Sequence, residues 1–136
     1  MISNNLIQAA LVAKLKANAL LVAALSSANE IREQQWQGRD FAYPNIRVDL
    51  GVQRPYIPDC PLVSIPFSVL CYSEKASSEE SNNLAYLVNT ALDNRPFTHG
   101  GVKFVSITFV DADSSVREDA RTWKTSVNFS SLVQIA

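Results

Sequence analysis

Between Leu70 and Phe97 the chain reads LCYSEKASSEESNNLAYLVNTALDNRPF, and its apolar spacing changes character along the way. Upstream, Val63, Ile65, Phe67, Val69 and Cys71 fall on alternate positions of PLVSIPFSVLCYS, which predicts a strand with one buried face. Pro66 has no N–H to give a ladder, so this part is expected at a sheet edge or a bulge. Downstream, Leu84, Leu87, Val88, Ala91 and Leu92 recur at helical spacing and predict an amphipathic helix. Ser77 and Glu80 make the S-x-x-E spacing of a capping box, and Glu79 and Glu80 lie where the helix dipole favours negative charge. DNRP ends the helix, because the residue before Pro96 is pushed out of the helical region. The rival reading of the polar middle is a metal-binding carboxylate cluster of Glu74, Glu79 and Glu80. No histidine or further aspartate stands near in sequence to complete a shell, so the helix start is the better reading.

The remaining pattern extends this order. Residues 4–17 predict an amphipathic helix with Leu6, Ala10, Ala13 and Ala17 on one stripe and Ile7, Leu11 and Leu15 beside it. Asn18 breaks or caps it, and ALLVAAL continues as a short helical turn. EIREQQW reads as a short edge strand and GRDFAYPN as a loop. IRVDLGVQR alternates, with Ile46, Val48, Leu50 and Val52 on one face, and predicts a half-buried strand. RPYIPDCP holds three prolines in eight residues and excludes a central strand. VKFVSITFVD and TWKTSVNFSSLVQI predict a last strand pair, joined by the polar loop ADSSVREDAR, with Trp123, Val127 and Phe129 on one core face. The expected class is α+β: a single domain over residues 1–136, with a mainly antiparallel twisted sheet and helices packed on one side.

Composition narrows the classes of function. A chain of 136 residues, 47% hydrophobic and 18% charged, has the makings of one packed core. With 12 basic against 13 acidic residues, net charge is −1, so no basic excess draws it to phosphate backbones. Cys60 and Cys71 are too few for a disulfide framework: one bridge is open to them, and nothing in the spacing demands it. Lys14 and Lys16 before an apolar run resemble a signal peptide. The run from Ala17 to Leu25 is short, however, and the residues before the lysines are themselves apolar and helix-forming. The lysine-interrupted segment is also too short to span a membrane, so an intracellular protein without a targeting segment is expected.

Catalytic chemistry has little to stand on. His99, the one histidine, lies in FTHGG, a turn in which Gly100 and Gly101 supply unusual backbone angles, and a solvated surface role outweighs that of a general base. No nucleophile elbow, phosphate loop, zinc-protease helix or dinucleotide fingerprint occurs, and four glycines leave little for a phosphate cradle. No catalytic, cofactor-binding or metal-ligating residue is therefore assigned, and no cofactor is expected. No basic–aromatic interleaving along the chain points to a platform for single-stranded nucleic acid. Two polar loops remain: QRPYIPDCP, stiff and carrying Arg54, Tyr56 and Ile57, and DADSSVREDAR, carrying Asp111, Asp113, Arg117, Glu118, Asp119 and Arg121. Protein contact surfaces and ordinary solvated loops are readings of equal standing.

An N-terminal LIQAALVAKLKAN helix comes first, then IREQQW and YPNIRVDL. The strand PLVSIPFSVLCYSE feeds directly into the SSEESNNLAYLVNTAL helix, and VKFVSITFVDADSSVREDARTWKTSVNFSSLVQ closes the chain. This layout resembles the tail terminator, or tail completion, proteins of long-tailed bacteriophages over nearly the whole chain. RPYIPDCPLVSIP departs from it, and the family shares no catalytic motif to carry over. The resemblance implies a structural virion protein and not an enzyme. It also implies a homo-oligomeric ring, commonly a hexamer, at the head-proximal end of the tail, assembled in the host cytoplasm. Its partners would be the tail tube protein and the head–tail connector or stopper protein, with DNA passing through without specific binding and no membrane involved. Arg54, Tyr56, Ile57, Asp111, Asp113, Arg117, Glu118 and Arg121 are the expected interface residues. Another head–tail joining protein, or a small α+β ligand-binding or enzymatic domain with a dispersed pocket, are the alternatives.

Overall fold

The computed structural model describes residues 1–36, 38 and 40–136. Along the chain come α1 (Asn4–Lys16), α2 (Ala19–Ala24), a 3-10 turn (Ala28–Glu30), β1 (Ile31–Glu33), β2 (Asn45–Leu50), β3 (Arg54–Pro55) and β4 (Val63–Ser73). Then follow α3 (Glu79–Leu92), β5 (Phe97–His99), β6 (Val102–Ala112), β7 (Val116–Arg117) and β8 (Trp123–Ile135). The loop expected at GRDFAYPN is described at Gly38 and from Asp40 onward, and its Arg39 lies outside the described residues.

The class is α+β. One sheet runs β1-β2-β4-β8-β6-β5, with β3 also pairing β4 and β7 also pairing β8. Every pairing is antiparallel except β1 with β2. Two irregularities in β6, at Phe104/Ser106 and Phe109/Asp111, bend that strand, as extra residues in a ladder do. The sheet curls, so that α1 touches β1 and β2 near one edge and β5 and β6 near the other. α3 packs on β4, β8 and β6.

Alternation decides which face is covered. Val63, Ile65, Phe67, Val69 and Cys71 are all buried, as are Val127, Phe129 and Val133 of β8 and Val102, Phe104 and Ile107 of β6. Phe67 stacks on Phe129 at 5.1 Å and meets Phe104 edge-on at 6.4 Å, which places three strands around one aromatic cluster. Helical residues close the core from above: Ile7, Leu11 and Leu15 from α1, Leu21 from α2, and Leu84, Val88, Ala91 and Leu92 from α3. Burial of α1 is centred on Ile7, Ala10, Leu11 and Leu15, while Leu6 is 42% exposed and Ala17 is exposed. The apolar stripe led by Leu6 is thus only partly the buried one; the sheet lies under its neighbour.

Three local expectations are corrected. Pro66 lies in β4, a central strand, in regular register opposite Ser130 of β8. It is tolerated because a strand residue directs its N–H and C=O to the same side. Its carbonyl accepts from Gly51 N–H at 2.7 Å, on the side where β2 has ended and β3 has not begun, so the missing donor falls in a gap of the ladder. Val52 lies beyond the end of β2 and is 63% exposed, outside the buried face assigned to it. Finally, the capping residue of α3 is Ser78, with no side-chain cap bond. Ser77 Oγ accepts only a long 3.4 Å bond from Glu79 N–H, and Glu80 Oε1 accepts from Ser73 Oγ at 2.7 Å. Tertiary proximity to the end of β4 takes the glutamate away from the cap.

Candidate functional site

His99 ends β5, exposed, and pairs with Val102 across Gly100 and Gly101. Their φ values of +59° and +82° make the two-residue hairpin turn that fits the twist of its strands. Among the described residues no three His, Cys, Asp or Glu side chains converge as metal ligands. Both cysteines are free, and burial pushes the Cys71 thiol far up. A groove of about 570 Å³ opens between α2 and the start of α3. It is lined by Lys75, Ser77, Glu79 and Glu80 beside Leu84, and among the described residues Ser77 Oγ makes no hydrogen bond to either glutamate carboxylate.

The eight expected interface residues are all exposed. The structure places Arg54, Tyr56 and Ile57 at one end of the sheet and Arg117, Glu118 and Arg121 toward the other, while Asp111, opposite Asn128 and so level with Ser68, lies midway. Arg54 and Pro55 pair with Ser64 and Val63 at the start of β4, whereas Val116 and Arg117 pair with Lys124 and Trp123, and Trp123 lies opposite Ser73 at its far end. Arg54 is level with Ser64 and Arg117 with Ser73, so these two residues stand about 30 Å apart along the strand direction.

The first loop is closed by Tyr56 N–H to Leu62 O at 3.1 Å and Cys60 N–H to Ile57 O at 3.2 Å. Asp59 takes φ +62° within it. Pro55 and Pro58 preset the flanking angles, and Tyr56 and Ile57 project from the tip, each 55% exposed. The second loop is tied to itself. Arg117 Nη2 donates to Ala120 O, and its guanidinium lies 5.6 Å from the Trp123 ring. Glu118 pairs with Lys124 at 2.9 Å, a hydrogen bond that raises the Lys124 pKa. Asp119 Oδ1 accepts from Arg121 and Thr122 N–H at 2.8 and 3.0 Å, and the Arg121 bond is the main cause holding its carboxyl below the usual range. Asp111 Oδ1 accepts from Asn128 Nδ2 at 2.6 Å. The side chains of Asp113 and Arg121 make no hydrogen bond or ion pair among the described residues, and they are left for solvent or a partner.

A third surface lies next to the second loop and carried no signal in the sequence beyond a tyrosine on the polar side of a helix. β5 covers β6 only at Val102–Phe104. Beyond it, Asn94 N–H donates to Ile107 O at 3.0 Å and Asp93 Oδ1 accepts from Phe109 N–H at 2.9 Å, so the end of α3 covers the edge for one more turn. From Phe109 onward the edge is open, with Phe109 39% and Val110 56% exposed. Between α3 and this end of β6 lies a groove of about 270 Å³, walled by Ala85, Tyr86, Asn89, Phe109, Ala112 and Asp113. Asn89 Oδ1 is buried there without a hydrogen-bond donor. Nearby, a cluster of Ser81, Ser115, Thr125 and Asn82 fastens the chain after β6 onto the start of α3, with Ser115 Oγ donating to Asn82 Oδ1 at 2.6 Å.

Cations and aromatics absent as neighbours in sequence do meet in space. Arg47 lies 4.0 Å from the Tyr72 ring and 4.2 Å from Phe41, and Arg32 lies 4.6 Å from Phe41 and 5.2 Å from Trp36. Arg32 is 8% exposed and pairs with Glu30 at 3.2 Å. This stack fixes the 40–44 segment on the outer sheet face.

Comparison with known proteins adds what this geometry lacks. No curated protein matches the chain. A chain of the virion of a native gene transfer agent particle has the same fold, with TM-score 0.77 and 19% identity over 96% of each chain. A second solved chain superposes with TM-score 0.67 at 16% identity, over 100% of this chain and 99% of that one. The family model described as tail completion protein gp17 matches residues 9–134. With two exposed loop surfaces, no assembled catalytic set among the described residues, and a family match over nearly its whole length, the chain belongs to the tail completion protein gp17 family and is a structural protein of a bacteriophage-type tail.

Proposed function

We propose that the protein is a tail terminator: residues 1–136 act as one domain that assembles into a ring, a hexamer, on the head-proximal end of the finished tail tube and joins it to the head connector. The observation that carries this reading is the family match across residues 9–134. The separation of the two loop surfaces is in keeping with it. A ring subunit contacts its neighbours through two different patches, and a closed ring follows when the rotation closes. Arg54, Tyr56 and Ile57 form one such patch, and Asp111, Asp113, Arg117, Glu118 and Arg121 the other, where mixed charges set register more than affinity. The protein is not an enzyme in this reading, and DNA slides through a channel that is polar without a dense basic lining.

The test is the native mass of the purified protein, alone and with tails, together with electron micrographs locating it on the particle. Rings at the tail end nearest the head are expected. A protein that stays monomeric in the presence of tails, or one located elsewhere on the virion, overturns the proposal.

A further inference from the structure

We propose that the groove between α2 and the start of α3 receives the tip of the 54–59 loop of a neighbouring copy, with Tyr56 and Ile57 over Leu84, Arg54 facing Glu79 and Asp59 facing Lys75. This rests on the ring reading above and names the contact that would build it.

Groove and loop carry matching patterns. Leu84 is buried at the floor of the groove, and Ala24 and Ala76 add exposed apolar surface beside it. Lys75 and Glu79 stand exposed on the rim, and among the described residues neither side chain makes a hydrogen bond or ion pair, whereas Glu80 is taken by Ser73. On the loop, Tyr56 and Ile57 form the exposed tip, with Arg54 two residues before it and Asp59 two residues after. Arg54 and Asp59 are also exposed and without a side-chain partner among the described residues. Each surface thus sets one cation and one anion around an apolar centre, so docking pairs both charges and covers the tip. The second loop offers the tip no such match, because Asp111, Arg117, Glu118 and Asp119 are already engaged within their own copy. Small-molecule sites enclose most of their ligand, while the charged rim here stands in solvent, which suits a loop tip better. Prolines and two backbone hydrogen bonds already hold the loop, so little freedom is lost when it docks.

Position decides which copy supplies the loop. Ser73 Oγ, on the last residue of β4, donates to Glu80 Oε1 and accepts from Lys75 N–H, which fixes the groove at that end. Tyr56 N–H donates to Leu62 O, just before the first residue of β4. Over the 11 residues of β4, about 30 Å separates loop from groove within one copy, far beyond the reach of a tyrosine. The loop therefore enters the groove of another copy only, and the contact is heterologous and propagates from copy to copy.

The experiment uses the full chain, with assembly read as native mass, alone and on purified tails. Arg54→Glu sets two carboxylates against each other at every contact, and Glu79→Lys sets two cations. Each variant alone should weaken ring association about tenfold or more. Thermal stability should be unchanged, because both positions are exposed and unpaired. Mixed in equal amounts, the two should form rings as wild type does, since every contact joins opposite charges when the variants alternate around an even-membered ring. A crosslink gives a second reading and decides the matter should either charge variant fail to fold. Ile57→Cys and Ala76→Cys are combined in a Cys60→Ser background, where buried Cys71 stays unreactive, and treated with a short bis-maleimide. A ladder of covalent multimers beyond the dimer is expected from the double variant and from neither single one. Wild-type association in either charge variant alone, no recovery on mixing, or intact rings with no ladder overturns the docking and leaves the ring standing. Crosslinks that form only to a second tail protein also overturn it. A wild-type protein that never assembles, even on tails, removes the ring and this contact together.

Discussion

Glu80 Oε1 accepts a 2.7 Å hydrogen bond from Ser73 Oγ, linking the first turn of α3 to the last residue of β4. Ser73 is fully buried, while Ser77, the residue spaced to cap the helix, is exposed. Ser73→Ala should therefore cost about 1 kcal/mol or more, since it leaves a carboxylate oxygen short of its donor. Ser77→Ala should fall within about 0.5 kcal/mol of wild type, as at other exposed sites. Urea midpoints of the two variants separate these outcomes, and a loss from Ser77→Ala as large as that from Ser73→Ala would restore the capping box.

Within α3, Val88 is fully buried and Leu87 only half-buried against the core. Val88→Ala should cost about 2–3 kcal/mol through lost burial and a residual cavity, and Leu87→Ala clearly less, despite its larger side chain. Thermal denaturation ranks the two.

A Cβ built at Gly51 would lie 2.7 Å from Pro66 Cγ and 2.8 Å from Pro66 O. The 2.7 Å bond from Gly51 N–H to that carbonyl holds the two backbones together, so Gly51→Ala must push the end of β2 off β4. A loss of about 1–3 kcal/mol is expected, as for other overpacked sites. The same variant should leave helix content unchanged by circular dichroism, because the strain falls between two strands.

Asp119 supplies the pH dependence of the second loop. Its carboxyl titrates below the usual value, chiefly because Arg121 N–H donates to it. A carboxyl depressed in the folded state stabilises it above the unfolded pKa of about 3.9, and that contribution is lost as pH falls through the lower folded value. NMR titration should place the Asp119 midpoint below that of an unperturbed aspartate, and Asp119→Asn should remove this contribution to the pH dependence of stability. A midpoint at the ordinary value would mean the turn is open in solution.

His99 is exposed on the β5–β6 hairpin and belongs to neither loop surface nor to the wall of either groove. His99→Ala should support tail assembly at wild-type levels in a complementation assay. Loss of infectivity with normal folding would assign chemistry to a residue for which the proposed role has none.

Local periodicity reports which face of an element is buried, and on that count the sequence alone determined a great deal. The alternation from Val63 to Cys71, the helical stripe from Leu84 to Leu92 and the paired glycines after His99 each describe a choice made within a few neighbouring residues. Tertiary structure decided the rest, because the partners involved lie far apart in the chain. Pro66 sits in a central strand since β2 happens to stop beside it, and nothing within PLVSIPFSVLCYS records where β2 stops. Glu80 leaves its cap for Ser73 because the strand end and the helix start pack together. The exposure of Tyr56, Ile57 and the charged residues after Asp111 followed from composition, but their separation to opposite ends of β4 is a consequence of register: Val63 faces Val133, and Ser73 faces Trp123. The groove at Asn89 is the clearest case. Its walls come from α3, β6 and β8, and a buried oxygen lacking a donor exists only once those three elements have been brought together.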